Sequence, residues 1–181
     1  MGWQLKEELD VEETDVALLV IRVCVGLTLV AHGLNHAFGG GKIAGTARWF
    51  EGLGLRPGVV HAWSSVLAEV AAGLGLVFGL LTPLACAAGI GVMTVAGVIS
   101  HRRNGFFVFK DGYEYVLMIA MMCAAVALAG PGAASIDHAL GLELAGVTGL
   151  AVAVGLGLVG AGLLLALAWR PTPPEVSEGN K

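Results

Sequence analysis

Long apolar runs constrain this chain more than any other feature. Five mostly apolar stretches are separated by short polar, glycine or proline segments, at residues 16–38, 63–81, 84–100, 113–129 and 146–169. An α-helix rises about 1.5 Å per residue, so about 20 residues cross the roughly 30 Å hydrocarbon layer of a bilayer. The chain is 56% hydrophobic and only 13% charged, about half the charged share of a soluble domain. The sequence therefore predicts an all-α fold, a polytopic membrane helix bundle.

The segments outside these runs have distinct compositions. Residues 1–15 form a polar, acidic lead, which lacks the cationic start of a secretory signal. Residues 39–62 form a loop with an interfacial helix expected over residues 44–52, since Trp49 and Phe50 suit the headgroup layer. Residues 170–181 are rich in proline and glutamate, which predicts a disordered tail.

The basic residues predict the orientation of the chain in the membrane. Five spans put the N-terminus and the turns at residues 82–83 and 130–145 on one side, where Lys6 is the only basic residue. The other side carries Lys42, Arg48, Arg56, Arg102, Arg103, Lys110, Arg170 and Lys181. Because cytoplasmic loops are enriched in Lys and Arg, we expect the N-terminus outside and the C-terminus in the cytoplasm.

Ionisable residues enter the apolar runs close to this predicted cytoplasmic boundary. His32 and His36 are four residues apart and share a helix face, with Asn35 beside them. An ionisable group inside a membrane costs about 2.5–3.5 kcal/mol on insertion scales, so it usually faces the bundle interior and finds a partner. We therefore expect one polar layer that contains His32, His36, Glu69, His101 and Glu114.

One interpretation of this layer is a site for a quinone or another small ligand. Glu69, paired with a histidine at the same depth, such as His32 or His101, or with Arg102, could relay protons together with His101. His32 would hydrogen-bond or ligate, while Tyr113 and Glu114 would orient the ring. Asn35, His36 and Phe106 complete the set of residues expected to bind the ligand. Apolar walls could come from Phe106, Phe107, Phe109, Tyr113 and Tyr115.

Two other interpretations of the same residues stay open. His32, His36 and His101 could hold a metal ion, or His32 and His101 a haem, although no intrinsic cofactor is expected. Hydrogen bonds among these side chains could instead serve only to lock the helices together. Arg22, deep in the first run, is expected to have a structural role beside Asp15, Asp137 or lipid phosphates.

The fifth run contains a flat face of small residues. Gly149, Ala153, Gly157 and Ala161 are spaced four apart, which permits close helix packing. This face would pack on the chain's own bundle or dock a protein partner in a membrane complex. Membrane lipid is the other expected partner. The chain has no basic stripe and no nucleic-acid motif, which excludes a nucleic-acid role.

Several motifs together resemble the DoxX family of small bacterial membrane proteins over about residues 17 to 140. They are AHGLNHAFG, ARWFEGLGL with RPG, LAEVAAGLGLVFGLLTPLA, H-x3-GFF followed by GYEY, and GPG-x3-SID. The resemblance implies a four-helix core over residues 16–145, to which the span at 146–169 is an addition, in the bacterial plasma membrane. The recurring polar positions of the family correspond to His32, Glu69, His101 and Glu114.

The resemblance also implies a function. Some members are linked to quinone-dependent thiosulfate oxidation, and others to membrane assemblies that handle thiol and oxidative stress. We therefore predict an integral membrane subunit of a quinone-linked redox system, with its ligand site in the cytoplasmic leaflet. The alternative is a non-catalytic accessory or scaffold subunit of a larger respiratory or redox complex. Whether the chain is itself an enzyme stays open at this point.

Overall fold

The computed structural model describes residues 2–171, with side chains from residue 13 onward. Most of the predicted disordered tail therefore lies outside the described residues. Within them the chain is all helical, with no strand. The α-helices are α1 (Gly2–Phe38), α2 (Lys42–Gly52), α3 (Gly58–Phe78), α4 (Thr82–Ala96), α5 (Glu114–Ala129), α6 (Ile136–Ala139) and α7 (Gly146–Ala168). The predicted interfacial helix corresponds to α2.

Four helical segments of the described part of the chain are long and apolar enough to cross a membrane. They are residues 13–38, 58–78, 82–104 and 146–168. The remaining predicted span, α5, is a shorter apolar helix of 16 residues, about 24 Å long at 1.5 Å per residue. These lengths and compositions confirm the predicted polytopic helix bundle.

The helices α1, α3, α4 and α5 form the bundle, and α7 packs on its outside against α4 and α5. The shared core consists of apolar side chains that include Val25, Leu29, Leu76, Ile90, Ile119 and Val126. The helices alternate in direction, so α1 ends at the same end of the bundle where α3 begins. We call this end the polar end, and the opposite one the far end.

Glycine lets α1 and α3 approach closely. A Cβ atom at Gly26 would lie 2.5 Å from the carbonyl oxygen of Gly73, and a Cβ at Gly73 would lie 2.5 Å from that of Gly26. Side-chain carbon at either position would therefore push the two backbones apart. The close crossing fixes the position of the α1 histidines relative to α3.

A polar staple holds the far end together. The guanidinium of Arg22, fully buried on α1, donates to the carbonyl oxygens of Pro131 and Ala134. Asp137, also buried, accepts hydrogen bonds from the backbone N–H groups of Leu81 (2.7 Å) and Thr82 (2.8 Å). The α5–α7 connection is thus fastened both to α1 and to the turn before α4. Arg22 has the structural role predicted for it. Its hydrogen bonds go to carbonyl groups, and Asp137, one of its predicted partners, lies near enough for a charge interaction.

The small face of α7 is occupied by the chain itself. Gly149, Ala153, Gly157 and Ala161 are the buried residues of this helix. A Cβ at Gly149 would lie 2.4 Å from the carbonyl oxygen of Ala127 on α5, and one at Gly157 would lie 2.8 Å from that of Ala87 on α4. Of the two predicted uses of this face, the structure shows internal packing, so a protein partner would need a different surface.

Two helix ends differ from the prediction in ways that shape the polar end. Helix α3 begins at Gly58 rather than at Trp63, because Pro57 precedes it in an extended conformation. Helix α4 continues into a π-helical turn, Gly97–His101, followed by a 3₁₀ turn at Arg102–Asn104. Short π-helical turns are frequent at functional sites, since they redirect side chains within a helix.

Candidate functional site

A cavity of about 500 Å³ opens inside the polar end. Its size lies within the range of about 300–1,000 Å³ that is common for ligand pockets. Every bundle helix contributes to its wall, together with α2, the π-helical turn and α7. Its ionisable and hydroxyl lining consists of His32, His36, His61, Ser64, Ser65, Glu69, Ser100, His101, Asp111 and Tyr115. Its apolar lining includes Phe50, Leu55, Val92, Met93, Val95, Val116 and Leu164.

Glu69 on α3 is the most buried ionisable group of the cavity, with 3% of its surface exposed. The hydroxyl of Ser65, one turn earlier, donates to its Oε1 atom. The Nε2 atom of His36 lies 3.5 Å from the same oxygen. The His36 ring packs against Trp49 and Phe50 of α2, at centroid distances of 6.1 and 5.8 Å. This carboxylate is therefore held by a hydroxyl and an imidazole inside an aromatic wall.

The partner of Glu69 is one of the histidines that the sequence places at the same depth. His36 takes this position. His32 and His101, which the sequence also allows there, bond to Tyr115 and to the carbonyl of Asp111. Arg102, the other candidate, lies elsewhere. The guanidinium carbon of Arg102 lies over the Trp169 ring, 5.6 Å from its centroid.

A second polar pair joins α1 to α5. The Nε2 atom of His32 and the hydroxyl of Tyr115 are 3.1 Å apart and share a hydrogen bond. Both residues line the cavity. Tyr115, predicted only as an apolar wall, thus contributes its hydroxyl group to the site.

His101 closes the cavity where the π-helical turn ends. Its Nδ1 atom donates to the backbone carbonyl of Asp111, with a separation of 2.8 Å. A carbonyl oxygen can only accept, so this bond assigns the ring proton to Nδ1 and leaves Nε2 as an acceptor when the ring is neutral. The side chain of Asn104 also donates to that carbonyl, at 3.1 Å, which fixes the turn.

Six residues predicted for the site do not line the cavity: Asn35, Phe106, Phe107, Phe109, Tyr113 and Glu114. Asn35 is exposed beside Gly39. The carboxylate of Glu114 accepts a hydrogen bond from the backbone N–H of Val108, at 2.9 Å, so it shapes the loop. The Tyr113 ring packs edge-on against Phe106, 5.6 Å away. The predicted role of Tyr113 and Glu114 in orienting a ring does not fit these positions.

The structure adds residues that sequence reasoning did not select. His61, Ser65 and Glu69 are spaced four apart and lie on one face of α3. The spacing is visible in the sequence, but a helix that begins at Trp63 leaves His61 in the preceding loop. The aromatic character of Trp49 and Phe50 predicts a place at the membrane interface, whereas in the structure both line the cavity.

The polar side chains of the site suit hydrogen bonding and proton exchange. Imidazole, hydroxyl and carboxylate groups face the same space from different helices, while the remaining wall is apolar. In the part of the chain that the structure describes, no group of three or more His, Cys, Asp or Glu side chains is arranged to hold a metal ion. His32 and His101, the pair predicted for haem, both line the cavity, with Tyr115 and Asp111 as their neighbours.

Together, the fold and the cavity define an α-helical, polytopic membrane protein with a partly polar pocket at one end. Residues 17–102 match the model of the DoxX family, which confirms the predicted resemblance over this segment. The GFF and GYEY motifs and α7 lie beyond the matched residues. No curated protein and no solved structure matches the chain.

Proposed function

We propose that this chain is a membrane subunit of a quinone-linked redox system, and that the cavity at the polar end binds the quinone headgroup. The observation that carries the proposal is Glu69, a buried carboxylate that lies between Ser65 and His36 at the wall of a partly apolar cavity. A headgroup with two ring oxygens offers hydrogen-bond partners to such a site, and its lipid tail can reach the cavity through the bilayer.

The polar groups can serve both redox states of the ring. A quinone carbonyl accepts a hydrogen bond, which a protonated His36 or the Tyr115 hydroxyl can donate. A quinol hydroxyl donates, and the Glu69 carboxylate or Nε2 of His101 can accept. Oxidation of the quinol releases two protons and two electrons. The protons pass to these acceptors, and a partner protein supplies the electron carrier.

Binding of a short-chain quinone to the purified full-length chain tests this proposal. We expect saturable binding in mild detergent. The binding is measured by the quenching of tryptophan fluorescence, because Trp49 lines the cavity. The control compound carries the same tail on a benzene ring without oxygens, and it should bind at least tenfold more weakly. Equal binding of both compounds, or none, would contradict a quinone site. Stoichiometric co-purification of other chains without quinone would favour an accessory subunit.

We further propose that the polar end faces the cytoplasm of a bacterial cell. Exposed basic residues lie at this end: Lys42, Arg48, Arg56, Arg102, Arg103, Lys110 and Arg170. Loops with this composition are retained on the cytoplasmic side. A reporter enzyme that is active only in the cytoplasm is expected to be active when fused after Lys181. A reporter enzyme that is active only in the periplasm is expected to be active when fused after Leu140. The reverse pattern would overturn the orientation.

A further inference from the structure

We propose that α7 completes the ligand cavity and that Gly160 sets the size of the headgroup that the cavity accepts. This inference rests on the proposed quinone site and deepens it. Three residues of α7 line the cavity: Gly160, Ala161 and Leu164. Helix α7 lies outside the matched DoxX segment, residues 17–102. The pocket wall that it forms therefore belongs to the part of this chain beyond the matched domain.

A close crossing with α4 brings this part of α7 to the cavity. A Cβ at Gly91 would lie 3.2 Å from the carbonyl oxygen of Gly157, so the two backbones almost touch. Gly91 itself lines the cavity. Since Gly160 and Ala161 follow Gly157 by about one helical turn, the crossing places them at the cavity wall.

The polar end of α7 is fastened to the loop between α2 and α3. The indole Nε1 of Trp169 donates to the carbonyl oxygen of Leu53 at 2.9 Å. The backbone N–H of Arg170 donates to the carbonyl oxygen of Gly54 at 2.7 Å. Leu55, next in this loop, lines the cavity and pairs with Trp169 in an isolated β-bridge. Helix α7 is thus a fixed wall of the pocket.

Gly160 is the position where this wall can change without disturbing the fold. A Cβ there would meet no atom within 4 Å, so a side chain would extend into open space. At Gly157 the same atom would lie 2.8 Å from a backbone oxygen of α4, and a substitution would separate the helices. Gly155 also has open space around its Cβ position, but it does not line the cavity. Gly155 therefore offers a matched control.

The first test compares Gly160→Leu and Gly155→Leu for binding of a short-chain dimethoxybenzoquinone. We expect Gly160→Leu to bind the dimethoxybenzoquinone at least tenfold more weakly than the parent does. Its loss of affinity for unsubstituted benzoquinone should be smaller, because that ring needs less space. Gly155→Leu should bind like the parent. The inference is overturned, while the proposed function stands, if the parent binds the quinone and Gly160→Leu binds it equally well.

A second measurement decides the inference if the parent binds no quinone. Gly160→Cys and Gly155→Cys proteins are treated with a charged methanethiosulfonate, whose reaction with a thiolate forms a mixed disulfide and releases methanesulfinate. Mass spectrometry counts the labels above the background of the parent protein, which has three cysteines. Labelling of Gly160→Cys but not of Gly155→Cys supports α7 as a cavity wall even if the quinone proposal fails. An unlabelled Gly160→Cys overturns it.

Discussion

Glu69→Gln is expected to lower the affinity for a short-chain quinol about tenfold. The Glu69 carboxylate lies in the cavity wall and can accept a hydrogen bond from a hydroxyl group of the quinol ring. Hydrogen bonds to charged groups contribute about 1.5–3 kcal/mol, against about 0.5–1.5 kcal/mol for neutral ones. The difference of roughly 1.4 kcal/mol corresponds to a factor of ten in the dissociation constant. Titration of the quinol against detergent-purified protein measures this effect.

Glu114→Gln is the matched control for this substitution. Glu114 lies at the same end of the bundle but outside the cavity, and its carboxylate accepts from the backbone N–H of Val108. A glutamine amide can still accept that bond, so quinol affinity should stay within twofold of the parent. The amide introduced by Glu69→Gln can likewise accept from Ser65, which preserves the fold of that variant. Unchanged quinol binding by Glu69→Gln would show that this carboxylate does not contact the ring.

Arg22→Met is expected to lower the stability of the folded protein strongly. The substitution removes the two Arg22 donors of the far-end staple and leaves the carbonyl oxygens of Pro131 and Ala134 without them. Pro131 is buried, and a buried polar group without a partner costs about 1–3 kcal/mol. We expect the upper end of this range, about 3 kcal/mol, because the charge interaction of Arg22 with the buried Asp137 is lost as well. For a chain of this size, that corresponds to a melting temperature lower by about 6–12 °C.

Thermal unfolding in detergent measures this effect, with Arg103→Met as the control. Arg103 is exposed at the polar end, so its loss should shift the melting temperature by less than about 2 °C, as for most surface substitutions. Arg22→Lys should fall between the parent and Arg22→Met, since an ammonium is a point charge and lacks the fork that reaches both carbonyls. Equal melting temperatures for Arg22→Met and the parent would show that the staple contributes nothing to stability.

The depth of each polar residue could be predicted from the sequence. The number of residues from the start of a span, multiplied by the helical rise, gives the depth of a side chain in that span. Four members of the predicted layer, His32, His36, Glu69 and His101, all line one cavity. Glu114 also lies at this end, but its side chain bonds the loop. The face of small residues on α7 could be predicted from their spacing of four, but the sequence does not show that α4 and α5 cover it.

The amino-acid sequence was sufficient to predict that lipid surrounds this protein and in what order its helices follow, because apolar runs of bilayer length have few alternatives to membrane-spanning helices. Which polar side chains meet could be seen only once the helices were packed together. Each residue turns a helix by about 100°, so contacts depend on how each helix is rotated and how closely it packs. The crossing of Gly26 with Gly73 brings His36 rather than His32 to Glu69, and the crossing of Gly91 with Gly157 brings Gly160 into the pocket wall.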